Sequence, residues 1–240
     1  MNFNRIMIIV ALGLAGWSAS PVALAIGLQV SPISVELSEK NNATELWLFN
    51  KSSSPLEAQL RVYSWEQKEN KNELLPTKSL IVSPPFTKIP AGGKQLVRLI
   101  KGERSNNVSS MEFYRVVVNE LPRQSSKQKG VDFVMEYSVP VFIMNETINK
   151  NENNTDFRLT ERNGKKFLTV INKGDYYNKI HSIFYVSPTG KKTALLPSFV
   201  GYVLPGKEME WELNHELTFD KKQGALEYSI NNKQQTIKLD

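Results

Sequence analysis

No cysteine occurs in the 240 residues, and histidine appears twice, at His181 and His215. Without a thiol there is no disulfide to staple the fold, no thiol chemistry and no cysteine-held metal. The two histidines lie in separate segments with no metal-ligand spacing around them. A Gly-x-Ser-x-Gly elbow is missing, and Gly92-Gly93 belongs to a Pro-Ala-Gly-Gly turn between strand patterns rather than to a loop ahead of a helix. No standard enzyme class, metal or cofactor is therefore expected. Also missing is a basic stripe interleaved with stacking aromatics. The net charge of +6 is scattered, with one local cluster at Arg123, Lys127 and Lys129. That distribution argues against nucleic-acid binding and describes a solvated surface with a mild preference for acidic partners.

Long apolar runs are absent except at the start. Arg5 is the one charged side chain of the first 25 residues, Ile6 to Trp17 forms a short apolar run, and Ala23-Leu24-Ala25 has small-x-small spacing. Together these predict a cleaved export signal over residues 1–25, since the run is too short to span a bilayer. Removal would leave 240 − 25 = 215 residues outside the cytoplasm with a net charge of +6 − 1 = +5. No membrane insertion is expected of that remainder.

What is there is short-period alternation. Leu28 to Leu37, Thr44 to Asn50, Leu56 to Trp65, Lys94 to Lys101, Met111 to Leu121 and Val131 to Met144 read as strands, separated by turn signals such as Ser83-Pro84-Pro85 and Pro90-Ala91-Gly92-Gly93. Around Asn145 to Asn154 the apolar pattern stops in a polar, asparagine-rich stretch, and then it restarts. Asn163-Gly164 between two alternating segments signals a hairpin, as does Asn231-Asn232. Helical spacing is not found. Strands at roughly 8–12-residue intervals on both sides of a linker predict an all-β chain of two immunoglobulin-like antiparallel sandwiches set at an angle. The expected divisions are a signal peptide (1–25), a first domain (26–145), a linker (146–153) and a second domain (154–240).

The segment from Val131 to Met144 is unusual. Val131, Phe133, Met135, Tyr137, Val139, Val141 and Ile143 share one face, while Asp132, Glu136 and Ser138 share the other. Pro140 cannot donate to a ladder and so favours a sheet edge. A long apolar edge must be covered, either by the rest of its own sandwich or by a strand from a partner.

Several stretches, in this order and spacing, resemble the periplasmic chaperones of the chaperone–usher pathway over nearly the whole exported chain. They are Val30-Ser-Pro-Ile33, Glu45-Leu-Trp-Leu-Phe-Asn50, Gln59-Leu-Arg-Val-Tyr-Ser-Trp65, Val82-Ser-Pro-Pro85, Ile89-Pro-Ala-Gly-Gly-Lys-Gln-Leu-Val-Arg-Leu99, Tyr114-Arg-Val-Val-Val-Asn-Glu-Leu-Pro122 and Ser138-Val-Pro-Val-Phe142. The resemblance implies a chaperone that captures, folds and caps pilus subunits by lending them an edge strand, then delivers them to an outer-membrane usher. It implies that residues 131–144 are that donor strand, with Val131, Phe133, Met135 and Tyr137 entering the subunit groove.

The better-known branch of that family anchors the subunit's terminal carboxylate with a basic residue on the first strand and a lysine late in the donor strand. Here Leu28 to Leu37 holds neither Arg nor Lys, and Pro140 stands at the lysine position. Tyr114-Arg-Val-Val-Val-Asn-Glu-Leu-Pro122 and Tyr63-Ser-Trp65 resemble the archaic branch instead. Arg115 is then the expected carboxylate anchor and Arg98 the second candidate. The resemblance leaves open self-association through the same edge in the free protein. The rival expectation is an exported structural or adhesive sandwich without a chaperone role, in which residues 131–144 are enclosed by their own sheet.

Overall fold

The structure, a computed structural model, describes residues 27–102, 111–122, 133–150, 154–214 and 223–239. Eighteen strands and no helix are found among them. In the first half these are β1 (Leu28–Ser31), β2 (Val35–Ser38), β3 (Ala43–Asn50), β4 (Leu56–Lys68), β5 (Lys71–Pro76), β6 (Leu80–Ser83), β7 (Phe86–Ile89), β8 (Lys94–Lys101), β9 (Glu112–Glu120) and β10 (Glu136–Met144). The second half holds β11 (Thr155–Arg162), β12 (Lys165–Asn172), β13 (Asn178–Val186), β14 (Lys192–Leu196), β15 (Gly201–Val203), β16 (Glu208–Glu212), β17 (Ala225–Ile230) and β18 (Lys233–Lys238).

A four-stranded sheet ordered β1-β3-β8-β6 faces a six-stranded sheet ordered β2-β10-β9-β4-β5, to which β7 is added through β4. Alternation does the sorting. On β3, Leu46 and Leu48 turn inward and Glu45 turns out; on β9, Tyr114, Val116 and Val118 turn inward to meet Leu56, Ala58 and Leu60 of β4. The segment read as one strand over Leu28 to Leu37 is broken around Pro32, where the chain leaves one sheet for the other, since β1 and β2 lie on opposite sides of the core.

The second half repeats the two-sheet plan with fewer strands: β11-β12-β16 against β14-β13-β17-β18, with β15 on β13. Its core is built on Leu168, Val170, Ile180, Ile183, Leu226 and Ile230. Both predicted hairpin turns are present, with φ of 52° at Asn163 and 73° at Gly164, and 51° at Asn231 and 65° at Asn232. Left-handed backbone at both central positions matches the twist of the flanking strands, and Asn and Gly tolerate it best.

Four strands were not expected from the sequence: β5, β6, β7 and β15. Nearly every residue of β5 faces solvent, so it carries no alternation to read, and β15 is three residues long. A further difference concerns β10, which among the described residues begins at Glu136 rather than further upstream. Nor does β10 keep one polar face. From Val139 to Met144 every side chain is buried, because the second face of the strand meets another surface.

Candidate functional site

That surface lies between the two halves. On the outer face of the six-stranded sheet, β4 presents Trp65, β9 presents Phe113 and Arg115, and β10 presents Phe142 and Met144. From the second half come Tyr176 and Tyr177, just before β13, with Tyr202 and Leu204 around β15. Phe142 stacks on Tyr177 with ring centroids 3.8 Å apart, and Trp65 meets Tyr202 edge-on at 5.6 Å. Burying one such ring contributes about 1.5–3 kcal/mol, and well-oriented pairs add about 0.5–1.5 kcal/mol.

Polar groups fix the geometry of this junction. Gln67 is 2% exposed; its Nε2 donates to the Tyr202 carbonyl at 2.8 Å and its Oε1 accepts from the Leu204 amide at 2.9 Å. Glu36 on β2 accepts from the hydroxyls of Tyr176 at 2.6 Å and Tyr177 at 2.7 Å, and from Lys150 at 2.7 Å. Burial works against the Glu36 charge, but these three donors outweigh it and hold the carboxyl below its ordinary range. Burial together with the bond to Glu36 pushes the Tyr176 hydroxyl up.

Arg115 stands at the mouth of the junction. Its guanidinium carbon lies 3.8 Å from the centre of the Trp65 ring and 5.4 Å from that of Tyr202. Burial pulls its pKa down to about 10, which leaves it charged at neutral pH. Among the described residues no carboxylate forms an ion pair with it. Its Nη1 donates to the Ser138 carbonyl at 3.3 Å.

That carbonyl belongs to an open edge. The Glu120 amide bonds the Met135 carbonyl at 2.9 Å, which fixes the parity of the β9–β10 ladder. Odd residues of β10 therefore bond toward β9, and Glu136, Ser138 and Pro140 turn their backbone groups the other way. Strand β2 covers that other side for Val141 to Met144. Over Glu136 to Pro140 no described strand pairs with it. Pro140 lies where the edge closes, and its missing N–H falls on the outward side.

Of the residues expected to enter a partner's groove, Val131 lies outside the described residues. Phe133 is 73% exposed, Met135 packs partly against the core, and the Tyr137 hydroxyl donates to the Leu28 carbonyl at 2.8 Å. Arg98 does not join Arg115: it is exposed on β8, in the opposite sheet, registered against Glu45 and Ser83. An edge strand with an exposed apolar tip and, at its closed end, a desolvated cation that no described carboxylate pairs with can do one thing well. It can add a foreign strand and hold an anion where that strand stops.

The family model for pili and flagellar-assembly chaperones, PapD N-terminal domain, matches residues 27–149. The chain belongs to this chaperone family. Among solved structures, this chaperone is similar to the CsuC–CsuE chaperone–tip adhesion subunit pre-assembly complex from archaic chaperone–usher Csu pili of Acinetobacter baumannii. The identity is 25%, the match covers 88% of this chain and 97% of that chain, and the TM-score is 0.67. The YadV chaperone, at 15% identity, is matched over 89% of this chain and 100% of that one with a TM-score of 0.67. The Pseudomonas aeruginosa CupB2 chaperone, at 14% identity, is matched over 88% and 98% with a TM-score of 0.60; these last two share the fold. No curated protein sequence matches the chain.

The sequence reading of this chaperone did not find Tyr202, Tyr177 or Gln67. Gln67 and the Tyr202 carbonyl are 135 residues apart, so the junction is invisible to any local pattern. One signal was available. On β4 the buried positions change parity, from Leu56, Ala58 and Leu60 to Trp65 and Gln67, and a strand buried first on one face and then on the other has two neighbours to meet.

Proposed function

We propose that this chaperone works in the periplasm, after loss of residues 1–25. There it captures pilus subunits that lack a strand by lending them the donor strand of residues 131–144, whose edge is open over Glu136 to Pro140, and it passes them to an outer-membrane usher. Phe133 and Met135, with Val131 upstream and Tyr137 downstream, supply side chains to the subunit's groove. Each one buried there contributes about 1.5–3 kcal/mol. Arg115 receives the subunit's terminal carboxylate. The division into a first domain over 26–145, a linker over 146–153 and a second domain over 154–240 belongs to the same reading.

The observation that carries this reading is the pairing of an open edge with a half-buried cation at its closed end that no described carboxylate pairs with. The reading also carries a direction. A strand that runs parallel to β10 along Glu136 to Pro140 meets β2 as an obstacle, so its C-terminus stops beside Arg115. A carboxylate placed there accepts charge-assisted bonds from a guanidinium that has already lost much of its water. No described carboxylate offsets the burial of that cation, and a captured carboxylate would relieve the cost.

The test is co-expression of the chaperone with its cognate pilus subunit, followed by purification from the exported fraction. The wild type is expected to bring the subunit down as a one-to-one complex. Arg115→Ala is expected to yield folded chaperone without subunit. A normal yield of complex from that variant would remove Arg115 from the site.

A further inference from the structure

We propose that Trp65 and Tyr202 are positioning residues that hold the Arg115 guanidinium at the open strand edge, so that the anchor exists only while the second half of the chain is docked on the first. The inference rests on the reading of Arg115 as the carboxylate anchor and adds which parts of the molecule make it one.

An arginine side chain free in solvent spreads over many rotamers, and ordering it at the moment of capture would weaken binding. Here the ordering is already done. The Trp65 and Tyr202 rings stand 88° apart in plane with centroids separated by 5.6 Å, and the guanidinium fills the corner between them. A guanidinium held by its flat face keeps its in-plane N–H donors pointing outward. The one described acceptor, the Ser138 carbonyl, is 3.3 Å away, a long bond that a carboxylate can displace.

Neither wall of the corner is loose. Trp65 Nε1 donates to Asn72 Oδ1 at 2.9 Å, and the same oxygen accepts from Gln67 Nε2 at 2.9 Å. Gln67 in turn grips the Tyr202 carbonyl and the Leu204 amide. A relay of two amide side chains therefore sets one ring against the other across the junction. Tyr202 and Leu204 come from the second half, and Trp65, Gln67, Asn72 and Arg115 from the first. Occupancy of the anchor and docking of the two halves are then linked, each favouring the other.

The experiment measures binding of the exported full chain to a fluorescein-labelled peptide of alternating valine and threonine, once with a free C-terminal carboxylate and once as the amide. Wild type should prefer the acid by about tenfold or more, the usual size of a hydrogen bond to a charged group. Arg115→Ala should abolish that preference. Tyr202→Leu, which keeps apolar bulk without a π face, should cut it to about threefold or less, and Tyr202→Phe should retain it. An undiminished acid preference in Tyr202→Leu, with Arg115→Ala inactive, would overturn this inference and leave the anchor intact. Equal loss in Tyr202→Phe and Tyr202→Leu would move the role to the hydroxyl and overturn it as well. A wild type without acid preference, or an Arg115→Ala variant that keeps it, would remove the anchor itself and this inference with it.

Discussion

Phe133-Val134-Met135 and Phe142-Ile143-Met144, at the two ends of one segment, have almost the same composition and opposite fates. Val139 to Met144 is buried on both faces, with Val139, Val141 and Ile143 in the sandwich core and Phe142 and Met144 against the second half of the chain. Phe133 and Val134 stand 73% and 49% exposed. Hydrophobicity does not separate them. What separates them is whether the neighbouring edge is occupied, by β2 on one side of Pro140 and by no described strand on the other. One end holds the molecule together, and the other is the edge proposed to receive a pilus subunit.

Mutation should break this comparison unevenly. Phe142→Ala removes a side chain with no exposed surface and should cost about 3–5 kcal/mol in urea unfolding, since a ring lost from a packed site leaves a cavity. Gln67→Met keeps the shape but strips the Leu204 amide and the Tyr202 carbonyl of their partner, and should cost about 1–3 kcal/mol. A smaller effect belongs to Glu36. Its carboxyl is held below the ordinary value of 4.5, so its contribution is present above that value and is lost as pH falls through the lower, folded-state value. The urea midpoint of wild type should therefore fall more between pH 6 and pH 3 than that of Glu36→Gln. Smallest of all, Phe133→Ser should change stability by less than about 0.5 kcal/mol while reducing the yield of subunit complex, because an exposed side chain has no native packing to lose.

The same contrast explains what the sequence could say. Period-2 alternation located β3, β4, β8 and β9, and Asn-Gly and Asn-Asn located two hairpins, because those signals are local. Arg115 was legible as a candidate because it falls within a strand beside the apolar segment and the usual basic positions were empty. Its setting was not. Trp65, Gln67 and Tyr202 meet through a junction between the two halves of the chain, and no period in the sequence encodes which outer face of one sandwich will rest on which loop of the other. For the same reason the burial of Phe142 and Met144 went unread: along β10 they occupy the positions that a one-sided strand would give to solvent.

Position 133 offers the most direct trial of the central claim. A photo-crosslinking amino acid placed there, and another at Leu75, which is 42% exposed on β5, can be compared in cells that export both chaperone and pilus subunit. The account predicts a heavy adduct containing the subunit from position 133 and little or none from position 75. Adducts from 75 alone, or none from 133 in a chaperone that is exported and folded, would contradict it.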